Sequence, residues 1–376
     1  MSAETSRRIA AAAARVDAGW ALLSGADSVC YASGHVVPIE TGVSPFSGGP
    51  SLALVGPDGA VRLVVSNLEA ASAEASSADQ VFSHVGFSAA EPEPYVDHFT
   101  AAVAAAFDAA LVSGRIAVEP QTLPWTVAEQ LRRRGVEIVD GTTEFARARM
   151  VKTDEELTCL RESARMAAIA QRTAVDFARP GMTELELFAL IRLAVETAAG
   201  ERVAFAGDLL TGIPRTSGVA GWATTRRIEP GDIVLADLAP RIGGYWSDSC
   251  NTFVLGTATS GLARLHELAA RALQAGIRVA APGVPAGVVD HAVRSVIADA
   301  GYEYGHHTGH GIGTSVHEFP RIIPGESAPL EEGMVILLEP GVYDPDIGGV
   351  RLEWMFEVRP EGLVRLTDFD HGLQAG

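Results

Sequence analysis

The sequence predicts two domains, an α/β domain at the N-terminus followed by an α+β domain. Three observations lead to this fold class. The chain has 376 residues, enough for two to three domains of about 150 residues each. Helical and strand-like segments alternate over roughly the first 145 residues. A long amphipathic pattern then begins a half in which strands and Gly/Pro turns dominate. We place the domains at 1–148 and 149–376.

The N-terminal domain is expected to alternate short helices and strands. The predicted helices cover 6–23, 95–112 and 126–134, and the predicted strands cover 115–118 and 136–139. Residues 51–65 read as a hairpin, because Pro57, Asp58 and Gly59 are turn formers between two apolar runs. Few polar residues of catalytic type cluster in this part, so we expect the chemistry in the second domain.

The C-terminal domain is expected to begin with a helix over 150–178. Thr153 or Asp154 can cap its start, and Pro180-Gly181 ends it. Further helices are predicted over 183–199, 262–280 and 286–300. The strands of this half carry most of its acidic and histidine clusters.

Charge and composition exclude several classes of protein. The formal net charge of −18 disfavours a nucleic-acid partner and a polybasic membrane surface. No run of about 18 apolar residues predicts a transmembrane helix. The three cysteines are odd in number and widely spaced, which suits a reducing cytoplasm better than a disulfide framework.

Lysine is almost absent, which narrows the chemistry further. Lys152 is the only lysine in the chain, and its charged surroundings predict a solvated side chain. The Gly-Lys-Ser/Thr triplet of a phosphate-binding loop is missing, and so is the G-x-S-x-G turn of many serine hydrolases. Phosphate-loop chemistry, lysine-based covalent catalysis and common serine hydrolysis are therefore disfavoured.

Two aspartates are predicted to share one face of a hairpin. Residues 232–256 contain two β-rich runs around Gly243-Gly244, a two-residue turn signal. With that turn Asp237 lies opposite Cys250, and Asp248 points to the same face as Cys250. Diagonal neighbours lie roughly 7–8 Å apart, so both carboxylates can share a site. A metal ion or an arginine would offset their repulsion, while an exposed polar hairpin face is the alternative.

Further candidate ligands follow along the chain. Residues 304–318 hold His306, His307, His310 and His317 in a glycine-rich setting. Glu339 ends an apolar strand, and Arg351 and Glu353 share a face of the next one by strand alternation. A salt bridge to an arginine is the competing interpretation of Glu339 alone.

Together, these residues predict a site for two divalent cations. The set comprises four carboxylates and one imidazole: Asp237, Asp248, His310, Glu339 and Glu353. Two divalent ions balance four negative charges, and oxygen donors with one nitrogen suit Mn²⁺, Co²⁺, Fe²⁺ or Zn²⁺. Paired ions can activate a shared water and polarise a carbonyl, which is hydrolytic chemistry.

In this order, with GHGIG, VHE, LEPGVY and a G-x-R-x-E strand, the set resembles the metallopeptidases of the pita-bread fold. This family includes methionine aminopeptidase, aminopeptidase P, prolidase and creatinase. The resemblance covers roughly residues 150–370, and a separate N-terminal α/β domain is typical of the prolidase, aminopeptidase P and creatinase branch. It implies an N-terminal creatinase-like domain followed by a catalytic pita-bread domain.

The resemblance also implies roles for individual residues. Asp237 would chelate one metal ion, Asp248 and Glu353 would bridge two, and His310 would bind the second. Glu339 would bind metal and relay a proton. His306 and His317 would contact the substrate or stabilise the tetrahedral intermediate. Arg351 would pair with a substrate carboxylate or with Glu353, and Trp222 and Tyr245 are candidate substrate contacts. The family is commonly homodimeric, and manganese is the metal we expect first.

Two positions depart from the family pattern. Family peptidases usually carry a histidine upstream of the first aspartate, and counting back from Thr225–Asp232 places Ala220 there. Cys250, Asn251 and Thr252 stand where Thr-Arg-Thr is usual. The first change removes a group that would hold the scissile carbonyl or leaving nitrogen, and the second alters the surroundings that tune metal affinity.

Three functions follow as hypotheses. The first is a dinuclear-metal peptidase acting on an Xaa-Pro bond, supported by the complete ligand set. The second is a metal-dependent hydrolase or lyase for a small non-peptide substrate, similar to ectoine hydrolase, creatinase or the dimethylsulfoniopropionate lyase of this fold, suggested by Ala220. The third is a binding domain without catalysis, which the retained ligands oppose.

Overall fold

The computed structural model describes residues 3–39, 44 and 46–374. The chain divides into two compact units, Met1–Arg149 and Met150–Gly376. None of the helices among these residues is long and apolar enough to span a bilayer.

The first unit is a sheet with helices on both faces. Its helices are α1 (Ala3–Arg15), α2 (Ala26–Ser33), α3 (Ala70–Glu74), α4 (Tyr95–Ala110), α5 (Trp125–Arg133) and α6 (Thr142–Ala148). Its strands are β1 (Trp20–Leu23), β2 (Leu52–Val55), β3 (Val61–Ser66), β4 (Gln80–His84), β5 (Arg115–Val118) and β6 (Glu137–Asp140), in the order β4-β3-β2-β1-β5-β6. Successive residues of β3 alternate between two cores: Leu63 and Val65 face the core of α1 and α2, and Val64 faces the core of α4 and α5.

The first predicted helix is wrong in its extent. Residues 6–23 were expected to form one helix, but α1 ends at Arg15 and the strand β1 begins at Trp20. Asp17 has a φ of 55°, a left-handed conformation that stops the helix. The following residues are then drawn into the sheet by pairing of β1 with β2 and β5. Local alanine content could not reveal this tertiary pairing.

The second unit has two halves, each with two long helices packed on a sheet. The helices are α7 (Asp154–Phe177), α8 (Glu184–Ala199), α9 (Ile213–Thr216), α10 (Ser260–Val279) and α11 (Ala286–Asp299). The strands are β7 (Ala204–Thr211), β8 (Ile233–Ile242), β9 (Tyr245–Trp246), β10 (Cys250–Val254), β11 (Gly309–Gly311), β12 (Glu318–Ile322), β13 (Val335–Leu338), β14 (Gly341–Asp344), β15 (Gly348–Arg351), β16 (Trp354–Arg359) and β17 (Gly362–Arg365). One sheet runs β10-β8-β7 with β9 beside β8, the other runs β12-β11-β13-β16-β17, and β14 pairs with β15.

Each sheet turns one face to its helices and leaves the other face for polar groups. In β8, Val234 and Ala236 pack into the core of α7 and α8, so Asp237 points away from those helices. In β13, Leu338 packs into the core of α10 and α11, so Glu339, the next residue, points away from them. The backbone bridge between Cys250 and Glu353 joins the two sheets beside these acidic residues. The fold thus brings the helix-free faces together.

The helix α7 starts as predicted, but Lys152 just before it is buried. Thr153 caps the helix, accepting a hydrogen bond from the backbone N–H of Glu156 while the Glu156 carboxylate accepts one from Thr153. The prediction of a solvated Lys152 is wrong, because its side chain is 1% exposed and its Nζ donates to Glu318 Oε2 at 2.8 Å. Pairing with a buried carboxylate offsets the cost of burying the ammonium group.

Candidate metal centre

The hairpin of β8 and β10 places the first two aspartates. Gly243 and Gly244 form its turn, both with positive φ, and Asp237 pairs with Cys250 in the predicted register. Asp248 lies just before β10, and its Oδ1 accepts a hydrogen bond from the backbone N–H of Ser249 at 2.9 Å. The Asp237 and Asp248 carboxyl groups lie close enough for each to affect the pKa of the other. The hairpin therefore brings both carboxyl groups to one place.

The second sheet supplies the other three candidate ligands. Glu339 follows β13, Glu353 precedes β16, and these strands pair Leu338 with Trp354, so the two glutamates are neighbours across the sheet. His310 lies in β11, next to β13. Its Nε2 lies 3.7 Å from Glu339 Oε1. The two sheets thus contribute two and three residues of the predicted set.

The geometry of the set fits a metal ion. Asp248, His310 and Glu353 are buried, and each offers a ligand atom within 4.8 Å of the others. Glu353 Oε2 is buried with no hydrogen-bond partner among the described residues. The Nδ1 of His310 donates to the carbonyl of Gly311 at 2.8 Å, so Nε2 keeps a lone pair for a metal. An orphaned carboxylate oxygen beside a free imidazole lone pair is the arrangement that a divalent cation completes.

The four carboxyl groups of the set differ in the direction in which their pKa values are shifted. Burial raises the pKa of Asp237 to about 6. Burial also raises the pKa of Asp248 and of Glu353 well above the ordinary range, and neighbouring carboxylates add to both effects. Burial acts the same way on Glu339, but the imidazole of His307 at 2.8 Å and those of His310 and His306 outweigh it and lower the pKa of Glu339 to about 2. The ionised forms of Asp237, Asp248 and Glu353 are therefore costly in this site, and divalent cations bound there would offset that cost.

Three further histidines surround Glu339 and His310. His307 Nε2 lies 2.8 Å from Glu339 Oε1. His306 donates from Nδ1 to the carbonyl of His307 at 2.7 Å, and its Nε2 accepts from the Tyr343 hydroxyl at 3.1 Å. The ring of His317 lies 4.4 Å from that of His310. Burial lowers the pKa of His306 and of His310 to about 4, so these two rings are neutral near pH 7. Burial also lowers the pKa of His317.

Arg351 binds aspartates rather than Glu353. Its Nη2 lies 3.0 Å from Asp237 Oδ2 and 3.4 Å from Asp208 Oδ2. Thr252 holds the backbone of Arg351, donating from Oγ1 to its carbonyl and accepting from its N–H, both at 3.0 Å. Pairing with Glu353 or with a substrate carboxylate was expected from the sequence. The structure instead places the guanidinium against the candidate ligand Asp237.

Sequence reasoning missed Arg321 and gave His307 no role. A cavity of about 310 Å³ is lined by three of the histidines and by Glu318, Phe319 and Arg321. His307, His310 and His317 also form a second group with ligand atoms within 4.8 Å of one another. Arg321 pairs with His310 across β11 and β12. A period-two reading of residues 317–322 could have placed His317, Phe319 and Arg321 on one face.

The loop that carries Ala220 is fastened by a buried glutamate. Glu184 is fully buried. Its Oε1 accepts from the backbone N–H of Thr211 and from Arg215 Nε, and its Oε2 accepts from the backbone N–H of Thr224. Both ends of the loop are therefore tied to α8. Ala220 itself is exposed.

The two proposed substrate contacts differ in access. Trp222 is 83% exposed on the loop of Ala220, whereas the side chain of Tyr245 is completely buried. Tyr245 accepts a hydrogen bond at its carbonyl from Ser163 Oγ at 2.6 Å. A direct contact of Tyr245 with substrate does not agree with this burial. The catalytic and ligand roles of the other residues stay predictions.

Comparisons with known proteins agree with this architecture. The model described as "Metallopeptidase family M24" matches residues 158–360. The model described as "Creatinase/Prolidase N-terminal domain" matches residues 6–151. The two matches divide the chain close to the boundary between its two units.

Individual relatives give the same result. An Xaa-Pro dipeptidase of Pyrococcus horikoshii is 32% identical over 67% of this chain and 73% of its own length. The crystal structure of the prolidase from Pyrococcus horikoshii OT3 is 27% identical, covers 98% of this chain and 99% of its own, and has a TM-score of 0.81. Dipeptidase PepE from Mycobacterium ulcerans is 27% identical, with coverages of 99% and 97% and a TM-score of 0.78. The predicted pita-bread fold behind an N-terminal creatinase-like domain is confirmed.

Proposed function

The chain belongs to metallopeptidase family M24, and we propose that it hydrolyses the Xaa-Pro bond of dipeptides at a two-metal centre. The ligands proposed are the five residues of the predicted set. The observation that carries the proposal is the buried convergence of Asp248, His310 and Glu353 within 4.8 Å beside Glu339 and Asp237. The relatives named Xaa-Pro dipeptidase and prolidase support the choice of bond.

The roles of this chain's residues follow from their contacts. Two divalent ions bound there would lower the pKa of a shared water and polarise the substrate carbonyl. His310 presents Nε2 because Gly311 holds its Nδ1 proton. Glu339 would accept the proton of the attacking water, with His307 at 2.8 Å steadying its carboxylate. His306 is fixed between the His307 carbonyl and Tyr343, so it can hold a group of the substrate in one orientation.

The cavity beside these residues suits a small peptide. Its volume of about 310 Å³ lies at the lower end of the usual range for ligand sites, roughly 300–1,000 Å³. Arg321 lines it, and we propose that this guanidinium binds the carboxylate terminus of the dipeptide. Replacing Arg321 with methionine should then raise KM for Gly-Pro and leave metal binding unchanged.

A substitution at Ala220 tests this function against the small-molecule alternative. The relatives favour the peptidase. If the missing histidine limits peptide cleavage, Ala220→His should raise kcat for an Xaa-Pro dipeptide, because an imidazole would then stabilise the scissile carbonyl or leaving nitrogen. Substantial turnover by the unchanged protein would show that Ala220 is no barrier.

The first test measures metal content and dipeptide hydrolysis together. Purified protein loaded with Mn²⁺ is expected to hold close to two ions per chain by elemental analysis and to cleave Gly-Pro but not Pro-Gly. Two ions without cleavage would refute the peptidase proposal and favour a small C–N substrate. Failure to bind metal under any loading condition would refute the metal centre.

Three finer points belong to the proposal. Manganese is proposed as the ion because the donor set is rich in oxygen with one nitrogen. A homodimer is proposed from the family resemblance, and light scattering of the purified protein tests it. A cytoplasmic location is proposed from the odd, widely spaced cysteines.

A further inference from the structure

Asp208 is an acidic residue beside the metal centre that lies outside the predicted ligand set. It pairs with Asp237 across β7 and β8. Its neighbour Leu209 packs into the core of α7 and α8, so Asp208 points to the opposite face, toward Asp237 and Cys250. Its side chain is 19% exposed. Asp208, Asp237 and Cys250 thus lie side by side across β7, β8 and β10, with Asp208 at the end of the row.

Arg351 joins Asp208 to the centre. The Arg351 side chain is only 5% exposed, and its Nη2 is shared by Asp237 Oδ2 at 3.0 Å and Asp208 Oδ2 at 3.4 Å. One guanidinium carries one positive charge, so it cannot neutralise both aspartates. Arg351 therefore contacts two carboxylates, one more than its single positive charge can neutralise.

The count of charges around the centre accounts for the additional carboxylate. The four carboxylates of the ligand set balance two divalent cations. If Asp237 gives its charge to a cation, the buried Arg351 would face that cation without a counter-charge of its own, which is costly in a low-dielectric site. Asp208 is the acidic group within reach of the same Nη2 atom.

We infer that Asp208 is a positioning residue that neutralises Arg351 and thereby leaves Asp237 available to a divalent cation. This inference rests on the two-metal centre of the proposed function. Without the Asp208 charge, Arg351 pairs with Asp237 alone and competes with the cation. If both the Asp208 carboxylate and the Arg351 guanidinium are removed, Asp237 is again available to the cation.

The test is Mn²⁺ binding to metal-free protein, measured by isothermal titration calorimetry with no substrate present. Asp208→Asn should weaken binding roughly 10- to 100-fold, the usual effect of losing a group that supports a ligand. Asp208→Glu should restore affinity because it keeps the carboxylate. The double variant D208N/R351M should bind within about threefold of the unchanged protein.

Control measurements separate this role from structural damage. Glu162→Gln removes an exposed carboxylate that pairs with Arg165 on α7, and it should leave the Mn²⁺ affinity unchanged. Circular dichroism should give the same spectrum for all variants, since asparagine matches the shape of a partly exposed aspartate.

Two results would overturn the inference. One is an unchanged affinity in D208N, and the other is a double variant as weak as the single one. If D208N kept its affinity and raised KM, Asp208 would be assigned to the substrate. Mn²⁺ binding that follows the expected pattern without Xaa-Pro cleavage would refute the proposed peptidase function but not the role of Asp208. Absence of binding by the unchanged protein would refute both.

Discussion

Replacing Asp248 with asparagine should stabilise the metal-free protein while removing its response to metal. Asp248 is buried beside Asp237 and Glu339, and burial together with these charges raises its pKa. Asparagine has nearly the same shape and keeps an oxygen that can accept from the backbone N–H of Ser249. The substitution therefore removes a carboxyl group whose ionisation is unfavourable at this position, with little change in packing.

The size of the effect can be worked from the neighbouring carboxyl. The pKa of Asp237 rises from 3.8 to about 6, which corresponds to roughly 3 kcal/mol at about 1.4 kcal/mol per unit. A carboxyl whose folded pKa is raised destabilises the folded state most fully above that pKa, and the penalty disappears below the unfolded pKa. At pH 7.5 we expect the Asp248 variant to gain about 1–3 kcal/mol, or roughly 2–10 °C in Tm.

Added metal should make the unchanged protein more stable than the Asp248→Asn variant. A cation that binds only the folded state stabilises it by about 2.7 kcal/mol at 100 times its Kd. The unchanged protein should gain this stability, and Asp248→Asn should gain little because a proposed bridging ligand is lost. Peptidase turnover should be lost in the same variant.

The assay is thermal unfolding by calorimetry at pH 7.5, first with chelator and then with saturating Mn²⁺. Glu162→Gln is the matched control, because it also removes one carboxylate but at an exposed position, and it should shift neither curve. A metal-free Asp248→Asn protein less stable than the unchanged protein would refute the repulsion argument. An equal gain on adding metal would refute the bridging role.

Three other predictions concern pH and buried charges. Mn²⁺ affinity should fall by at least about tenfold per pH unit below pH 6. Asp237, with a pKa of about 6, must lose its proton to bind, and so must Asp248 and Glu353, whose pKa values are also raised. Calorimetric titrations at pH 5, 6 and 7 check this, and a constant Kd would contradict it. Glu184→Gln should lower the free energy of unfolding in urea by about 2–4 kcal/mol, because it loses charged hydrogen bonds in a fully buried position. A change under about 0.5 kcal/mol would show that the loop that carries Ala220 does not depend on these hydrogen bonds. Lys152→Met should lower the free energy of unfolding by about 3–5 kcal/mol, because it leaves Glu318 charged and buried. The double variant K152M/E318L should lose less stability. Equal losses in the two variants would mean that the two charges do not interact.

Much of the site could be predicted because its determinants are local. Gly243-Gly244 fixes a two-residue turn, and the turn fixes the register that pairs Asp237 with Cys250. The start of α7 is determined equally locally, by the Thr153–Glu156 capping box. In both cases the residues that interact lie close in sequence, so spacing alone specifies the contact.

Predictions failed where distant residues decide the outcome. The alanine-rich start was extended into β1, because sheet pairing with residues 53–55 and 116–118 outweighs its helix propensity. Lys152 was expected in solvent because its partner, Glu318, lies 166 residues away. A charged side chain is buried only when such a partner is present, and a single sequence does not reveal which partner that is.

The sequence by itself predicted the candidate ligands: four carboxylates and a histidine whose costs of burial a pair of divalent cations would offset. The tertiary structure decided how these residues meet, by joining two sheets at the bridge between Cys250 and Glu353. It also decided the partners of Arg351, since Asp208 lies 143 residues away along the chain. The physical reason is that residue type and local spacing fix the face on which a side chain lies, whereas the charges opposite that face come from strands brought together only when the cores pack.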